Sequence, residues 1–128
     1  TSIMHYRHVL AAPTVEVWGT GVATREFLYV GDTVKAIIDA INCNETGPFN
    51  LGTGTETSIK ELIETISNII GYEGEIVWDT NRPDGQLKRF YDMDKFQKEF
   101  GYVPNTPLKK GLEKTIEWYL NNEDIIRL

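Results

Sequence analysis

Several cationic side chains could bind a phosphorylated ligand. Arg25 lies in the segment Gly-Val-Ala-Thr-Arg-Glu-Phe, directly before residues with strand character. Its planar guanidinium suits the paired oxygens of a diphosphate. A solvated pair with Glu26 or with another carboxylate is the equally good alternative. Arg82, Lys88 and Arg89 surround a Pro-Asp-Gly turn, and this local positive cluster is either an anion site or a solvated loop.

Two further residues have the chemistry to contact a base or a sugar. Trp18 ends a short run of strand residues beside a glycine turn, where an indole either stacks on a base or sugar or fills the core. From the sequence alone, the core is the better interpretation. Asp84 could accept hydrogen bonds from sugar hydroxyl groups, although aspartate in this position is more often only a turn residue.

Two short patterns suggest dehydrogenase chemistry but fit it poorly. Gly52–Gly54 lies between a strand and a helix, as in dinucleotide-binding loops, but Thr57 occupies the third glycine position. Tyr91 and Lys95 have the Tyr-x-x-x-Lys spacing. Asp92 is predicted to cap a helix in that stretch, so Tyr91 should precede the helix and not share a face with Lys95. We therefore predict no catalytic and no cofactor-binding residue.

Composition excludes several classes of protein. The chain has 128 residues, which suits one domain, and 41% of them are hydrophobic, enough to form a core. Thirteen Lys and Arg against 19 Asp and Glu give a net charge of −6 and a pI of about 4.9. This acidic balance argues against nucleic acid and against an anionic membrane surface as partners.

Cysteine and histidine content predicts neither disulfides nor a metal. Cys43 is the single cysteine, so no internal disulfide can form, and the cytoplasm is the expected compartment. His5 and His8 could touch one ion together, but a structural zinc site needs four ligands. No apolar run approaches the ~20 residues that a membrane span requires.

The spacing of apolar residues predicts a small α+β fold with about four helices and short strands. We predict an N-terminal helix over Ile3–Leu10. The last helix should begin at Thr106-Pro107, and the remaining helices and strands should lie between these two. The predicted strands are Val15–Trp18, Phe27–Val30, Phe49–Leu51 and Glu75–Trp78. Asp32 should cap a helix whose apolar face is Val34, Ile37, Ile38 and Ile41. Ser58–Glu61 has the form of a capping box.

These motifs, in this order, resemble the C-terminal part of the extended short-chain dehydrogenase/reductases, and in particular the GDP-L-fucose synthase family. The segments that carry the resemblance are Val17–Gly21, Arg25–Val30, Phe49–Gly54, Ser58–Leu62, Gly74–Thr80, Pro83–Gln86 and Thr106–Tyr119. The resemblance implies an NADPH-dependent epimerase and reductase acting on a GDP-sugar. It implies that the chain corresponds to the substrate-binding part and lacks the Rossmann half, with its NADP loop and catalytic Tyr-x-x-x-Lys.

The resemblance also implies roles for individual residues. Trp18 and Arg25 would contact substrate, with Arg25 at the diphosphate, and Asp84 would contact the nucleotide side. Lys88 or Arg89 would add positive charge. We therefore expect a GDP-sugar as ligand, no cofactor in this chain although the full-length family uses NADP, and no activity in isolation.

The resemblance sets the expected domain limits and the alternatives. Residues 14–122 form the predicted sugar-nucleotide-binding domain, residues 1–13 a partial helix or cloning remnant, and residues 123–128 a tail. An apolar face that includes Phe27 and Tyr29 should meet a separate Rossmann-domain chain or a second copy. The alternatives are a stand-alone nucleotide-sugar-binding or protein-interaction module, and a fragment of a UDP- or dTDP-sugar epimerase or dehydratase.

Overall fold

The computed structural model describes residues 11–122, and both the N-terminal helix predicted over Ile3–Leu10 and the C-terminal tail lie outside this range. The elements, in chain order, are β1 (Thr14–Trp18), β2 (Thr24–Arg25), α1 (Val30–Ile41), β3 (Thr57–Ser58), α2 (Ile59–Ile70), β4 (Glu75–Asp79), α3 (Asp94–Phe100) and α4 (Leu108–Asn121). The four helices and short strands of this range confirm the predicted small α+β fold.

The strands form two separate pairs. β1 runs parallel to β4, in a register that places Trp18 opposite Asp79. β2 runs antiparallel to β3, with Arg25 opposite Thr57. Because β1 and β4 are parallel, their carboxyl ends lie at the same edge of the sheet. The loops that follow the two strands therefore start side by side.

Helix α2 forms as its sequence predicts. The Ser58 hydroxyl accepts a hydrogen bond from the Glu61 backbone N–H at 3.1 Å, which caps the first turn. Gly71 ends the helix in the left-handed conformation, with φ of +67°. The strands predicted over Val15–Trp18 and Glu75–Trp78 are also present, each longer by one residue.

Two predicted strands are wrong. Phe27–Val30 forms no strand. The pairing between β2 and β3 ends at Arg25, and the chain enters α1 at Val30. Phe49–Leu51 finds no strand partner either. Instead, Phe49 and Leu51 pack against the core cluster, which consists of Ala36, Met93 and Phe96.

Asp32 does not cap α1. Tyr29 is the N-cap residue, and its carbonyl accepts from the Asp32 backbone N–H at 3.0 Å. The Asp32 carboxylate accepts from the backbone N–H and the hydroxyl of Thr106, at 3.1 and 2.9 Å. Asp32 therefore ties the start of α1 to the segment that leads into α4.

The apolar side of α1 faces outward in the described part of the chain. Of its residues, Ala36 is buried in the core cluster. Five large aliphatic side chains are at least half exposed, and we call them the α1 apolar face: Val30 (65%), Val34 (50%), Ile37 (51%), Ile38 (54%) and Ile41 (76%). None of the described helices is long and apolar enough to cross a membrane.

Candidate functional site

The predicted site residues lie on two loops that start at the shared edge of β1 and β4. Residues 18–26 and 82–91 run side by side, and we call them together the paired-loop surface. The contacts along it join Trp18 to Arg82, Thr20 to Asp84, Thr24 to Leu87 and Lys88, and Glu26 to Tyr91. In open α/β sheets, ligands bind beyond the carboxyl ends of the parallel strands. The two loops of this surface follow the carboxyl ends of β1 and β4, which is the same position.

Arg25 is half-buried in β2 and has no carboxylate partner among residues 11–122. One guanidinium nitrogen donates to the Thr24 carbonyl at 2.6 Å. Pairing with Glu26, the alternative from the sequence, does not occur. A half-buried cation without a counter-charge in the described chain is suited to an anionic ligand.

The Glu26 carboxylate instead binds three backbone N–H groups. It accepts from Thr53 at 2.7 Å, from Gly54 at 3.1 Å and from Tyr91 at 3.0 Å. These bonds hold the end of the paired-loop surface against the turn after residue 51. Sequence reasoning missed this role, because an acidic residue next to an arginine first suggests an ion pair.

Lys88 forms a backbone bridge with Thr24, the residue before Arg25, and its side chain already has a partner. Its Nζ is 2.6 Å from a Glu56 carboxylate oxygen, and the other Glu56 oxygen accepts from the Thr24 hydroxyl at 2.8 Å. The Lys88 ammonium and the Thr24 hydroxyl together hold the pKa of Glu56 below its usual value. Arg89 donates to the Gln86 side-chain oxygen at 3.2 Å and is exposed.

Asp84 joins the two loops. Its carboxylate accepts from the Thr20 backbone N–H at 2.6 Å and from the Thr20 hydroxyl at 2.7 Å. These two bonds lower the pKa of Asp84, the hydroxyl bond most, because both favour the ionised form. Gly19 lies so close to this carboxylate that a Cβ there would overlap it. Asp84 thus has a structural function here, beyond the turn role and the ligand role considered from the sequence.

Trp18 is 62% exposed, so the core interpretation favoured from the sequence is wrong. The Arg82 guanidinium lies 4.8 Å from the centre of its ring. Trp18 is the last residue of β1, and its alternation with the half-buried Val17 directs it outward at the sheet edge. The indole is therefore available to a ligand at one end of the paired-loop surface.

The residues of the two dehydrogenase-like patterns make other contacts in this structure. The Thr53 and Gly54 N–H groups, which a pyrophosphate would need, already bind the Glu26 carboxylate, whose charge would also repel phosphate. The residues of this turn therefore do not fit NADP. Tyr91 precedes α3, and the Lys95 Nζ donates to the Pro48 carbonyl at 3.3 Å, away from any shared helix face.

The described residues contain no cluster of three or more candidate metal ligands. His5 and His8 lie outside them. The Cys43 thiol donates to a Glu99 carboxylate oxygen at 3.0 Å, and this neighbouring acid raises the pKa of the thiol. Cys43 is consequently held as a thiol, which is a poor metal ligand and nucleophile.

Comparison with known proteins finds one family and many related structures. The family model described as GDP-mannose 4,6 dehydratase matches residues 3–115. GDP-L-fucose synthase 1 of Arabidopsis thaliana is 37% identical over 119 residues, 92% of this chain and 36% of its own length. The chain spans about a third of the length of the curated relatives that it matches.

Two solved structures share the fold. A GDP-L-fucose synthetase from Naegleria fowleri bound to NADP has a TM-score of 0.88 at 26% identity, covering 98% of this chain and 41% of that one. UDP-glucose 4-epimerase from Thermotoga maritima, with UDP-glucose, has a TM-score of 0.80 at 30% identity, covering 94% and 39%. The fold is thus similar to parts of enzymes named for GDP-sugars and for UDP-sugars.

Proposed function

Because the chain belongs to the GDP-mannose 4,6 dehydratase family, we propose that it forms the sugar-nucleotide-binding part of an epimerase/reductase of the GDP-L-fucose synthase type. The half-buried, unpaired Arg25 on the paired-loop surface carries this proposal, since an anionic ligand would supply the counter-charge that the described chain lacks. The names of the relatives favour a GDP-sugar.

The proposed division of roles follows the paired-loop surface. Arg25 binds the diphosphate through its guanidinium fork, and Arg89 adds positive charge nearby, whereas the charge of Lys88 is balanced by Glu56. Trp18 offers its exposed ring to the base or sugar, and Asp84 uses the lone pairs left over from Thr20 for ligand hydroxyl groups. Residues 14–122 contain all of these groups, and we propose that range as the binding domain, with the cytoplasm as its compartment.

The proposal includes no catalysis by the isolated chain. Hydride transfer needs a nicotinamide held against the keto carbon, and the Gly52–Gly54 turn does not fit NADP. NADP is present in the Naegleria relative, of which this chain matches 41%. We expect no NADPH oxidation when the purified chain is mixed with GDP-4-keto-6-deoxymannose, and measurable oxidation would contradict this part of the proposal.

Calorimetric titration with GDP-L-fucose tests the binding function, with UDP-glucose and NADPH as parallel ligands. We expect selective GDP-L-fucose binding that weakens about 10–100-fold in Arg25→Ala, the range for losing charge-assisted hydrogen bonds. Arg25→Lys keeps the charge without the fork and should lie in between. Lys109→Ala, which removes an exposed cation on α4, is the matched control.

Each outcome of the titration has a defined meaning. Preference for UDP-glucose would support the UDP-sugar alternative and contradict the GDP-sugar assignment. Equal binding by wild type and Arg25→Ala would place the ligand elsewhere. No binding of any ligand by the folded chain would refute a sugar-nucleotide-binding function for this chain alone.

A second role, as an interaction module, is favoured by the α1 apolar face. The predicted members Phe27 and Tyr29 are half-buried, and Tyr29 packs beside Gly111 and 5.1 Å below the Lys114 ammonium. The α1 apolar face exposes five aliphatic side chains instead. We infer that its occupant is the portion of the family fold that lies outside the matched third of the relatives.

The area of the α1 apolar face favours the remainder of the family fold as its occupant over a second copy of this chain. Five half-exposed aliphatic side chains offer about 500 Å² of apolar surface, in the range of the largest patch on a monomer. A stable interface between two copies needs about 800 Å² from each. A larger domain that also contacts neighbouring segments can supply the difference.

Sedimentation and binding experiments test the interaction role. A separately expressed remainder of the Arabidopsis relative should bind this chain, and Ile37→Glu on the α1 apolar face should abolish that binding. Glu113→Ala, an exposed change on α4, is the control. Self-association at high concentration without binding of the remainder would favour a second copy. A strict monomer that binds neither would refute the role.

A further inference from the structure

Charged side chains contact the exposed indole of Trp18 at its edge and over its ring. Its Nε1–H donates to a Glu16 carboxylate oxygen at 3.2 Å. The Arg82 guanidinium lies over one face of the ring, 4.8 Å from its centre. The Arg82 Nε is in turn 3.4 Å from an Asp79 carboxylate oxygen. An exposed aromatic ring is normally free to change rotamer, so this restraint is a distinctive feature of the site.

The parallel strand pair places these four residues together. Glu16 and Trp18 are two positions apart in β1 and share a face of the strand. Asp79 is the register partner of Trp18 in β4. The turn after β4, closed by the Arg82 N–H to the Asp79 carbonyl at 3.2 Å, brings Arg82 back over the indole.

We propose that Arg82 is a positioning residue, which orders Trp18 so that the uncovered face of the indole stacks on a ring of the ligand. The proposal rests on the proposed sugar-nucleotide-binding function and extends it to a residue that the family resemblance did not assign. A ligand that stacks on a side chain already held in place loses less conformational entropy on binding. Because Arg82 covers one face of the indole, the ligand would stack on the other face.

Asp79 and Glu16 support this role through separate contacts, one to Arg82 and one to the indole. The Asp79 carboxylate is 23% exposed and anchors Arg82, whose side chain is 57% exposed. Glu16 binds the edge of the indole through the Nε1–H bond.

Nuclear magnetic resonance of the chain measures the positioning directly. The indole N–H signal of Trp18 is assigned by its loss in Trp18→Phe, and its heteronuclear NOE reports motion of the ring on the picosecond to nanosecond timescale. We expect this NOE to fall in Arg82→Ala. Trp118, 57% exposed on α4, is the matched indole and should not change.

Ligand affinity completes the test. GDP-L-fucose affinity should fall about 2–5-fold in Arg82→Ala, the range for an exposed cation–π contact. Arg82→Lys keeps the positive charge beside Asp79 but lacks the planar guanidinium, and its affinity should lie in between. Comparing GDP with GDP-L-fucose distinguishes base stacking, where both ligands lose affinity, from sugar stacking, where only GDP-L-fucose does.

Three results would overturn the proposal. One is an unchanged NOE of Trp18 in Arg82→Ala. Another is increased motion with no greater loss of affinity than in the control Lys109→Ala. The third is a wild-type chain that binds no nucleotide, which refutes the proposed function and the stacking role with it, while the NOE still decides whether Arg82 orders the indole.

Discussion

Gly21→Ala should destabilise the fold much more than Gly85→Ala, although both glycines lie in loops after the parallel strands and have positive φ. Gly21 has φ of +77° and Gly85 has φ of +72°. The left-handed backbone costs an alanine about 1–2 kcal/mol at either position. The difference lies in the surroundings of each Cβ.

An alanine Cβ at position 21 would meet the outer ring of Trp78 at 2.6 and 2.7 Å and the Lys60 Cβ at 3.1 Å. Position 85 has nothing within 4 Å. Overpacking of this kind typically adds about 1–3 kcal/mol. We therefore expect losses in the free energy of unfolding of about 2–5 kcal/mol for Gly21→Ala and about 1–2 kcal/mol for Gly85→Ala.

Urea unfolding followed by circular dichroism measures both losses, with the slope against urea as a check that the unfolded state is unchanged. Trp78→Phe removes the outer ring of the indole, so Gly21→Ala should cost less in that background than in wild type. Equal losses at positions 21 and 85, or an additive double variant, would refute the argument that Trp78 requires a glycine at position 21.

Three other changes test the capping, the core and the electrostatics. Ser58→Ala should lose about 1 kcal/mol of unfolding free energy in urea, and Ser58→Asp should retain it; no loss would exclude a capping role. Phe96→Ala should lose about 3–5 kcal/mol, because Phe96 is 3% exposed, and a loss below 1 kcal/mol would contradict its core placement. Because the Glu56 pKa is lowered in the folded state, the stability it contributes is present above the unfolded value near 4.5 and lost as pH falls through the folded pKa. Unfolding midpoints between about pH 6 and pH 3 should therefore fall less steeply in Glu56→Gln.

Local sequence determined the elements whose signals are short-range. The Ser58 cap, the Gly71 terminus and the apolar spacing of α2 each depend on residues within one helix, and all were predictable. Helix α4 also formed as predicted, with the difference that Pro107 is the N-cap and not the first helical residue. The ordered motifs further predicted membership of the extended short-chain dehydrogenase/reductases, which the family match confirms.

The tertiary structure decided which of the strand-like segments find a partner and what the polar residues bind. Phe27–Val30 has strand composition, but a strand needs a partner, and no local signal reveals that β3 pairs with only two residues. Glu26 lies next to Arg25 in sequence, yet its carboxylate binds backbone N–H groups 27 to 65 residues away.

For the binding surface, the sequence supplied the residue types and the fold supplied their arrangement. Arg25, Asp84 and Trp18 could be selected because guanidinium, carboxylate and indole groups have known affinities for parts of a sugar nucleotide. Their alignment depends on the parallel pairing of β1 with β4, which joins segments about 60 residues apart. Long-range pairing of this kind leaves no periodicity in the chain, so the restraint of Trp18 by Arg82 became visible only in three dimensions.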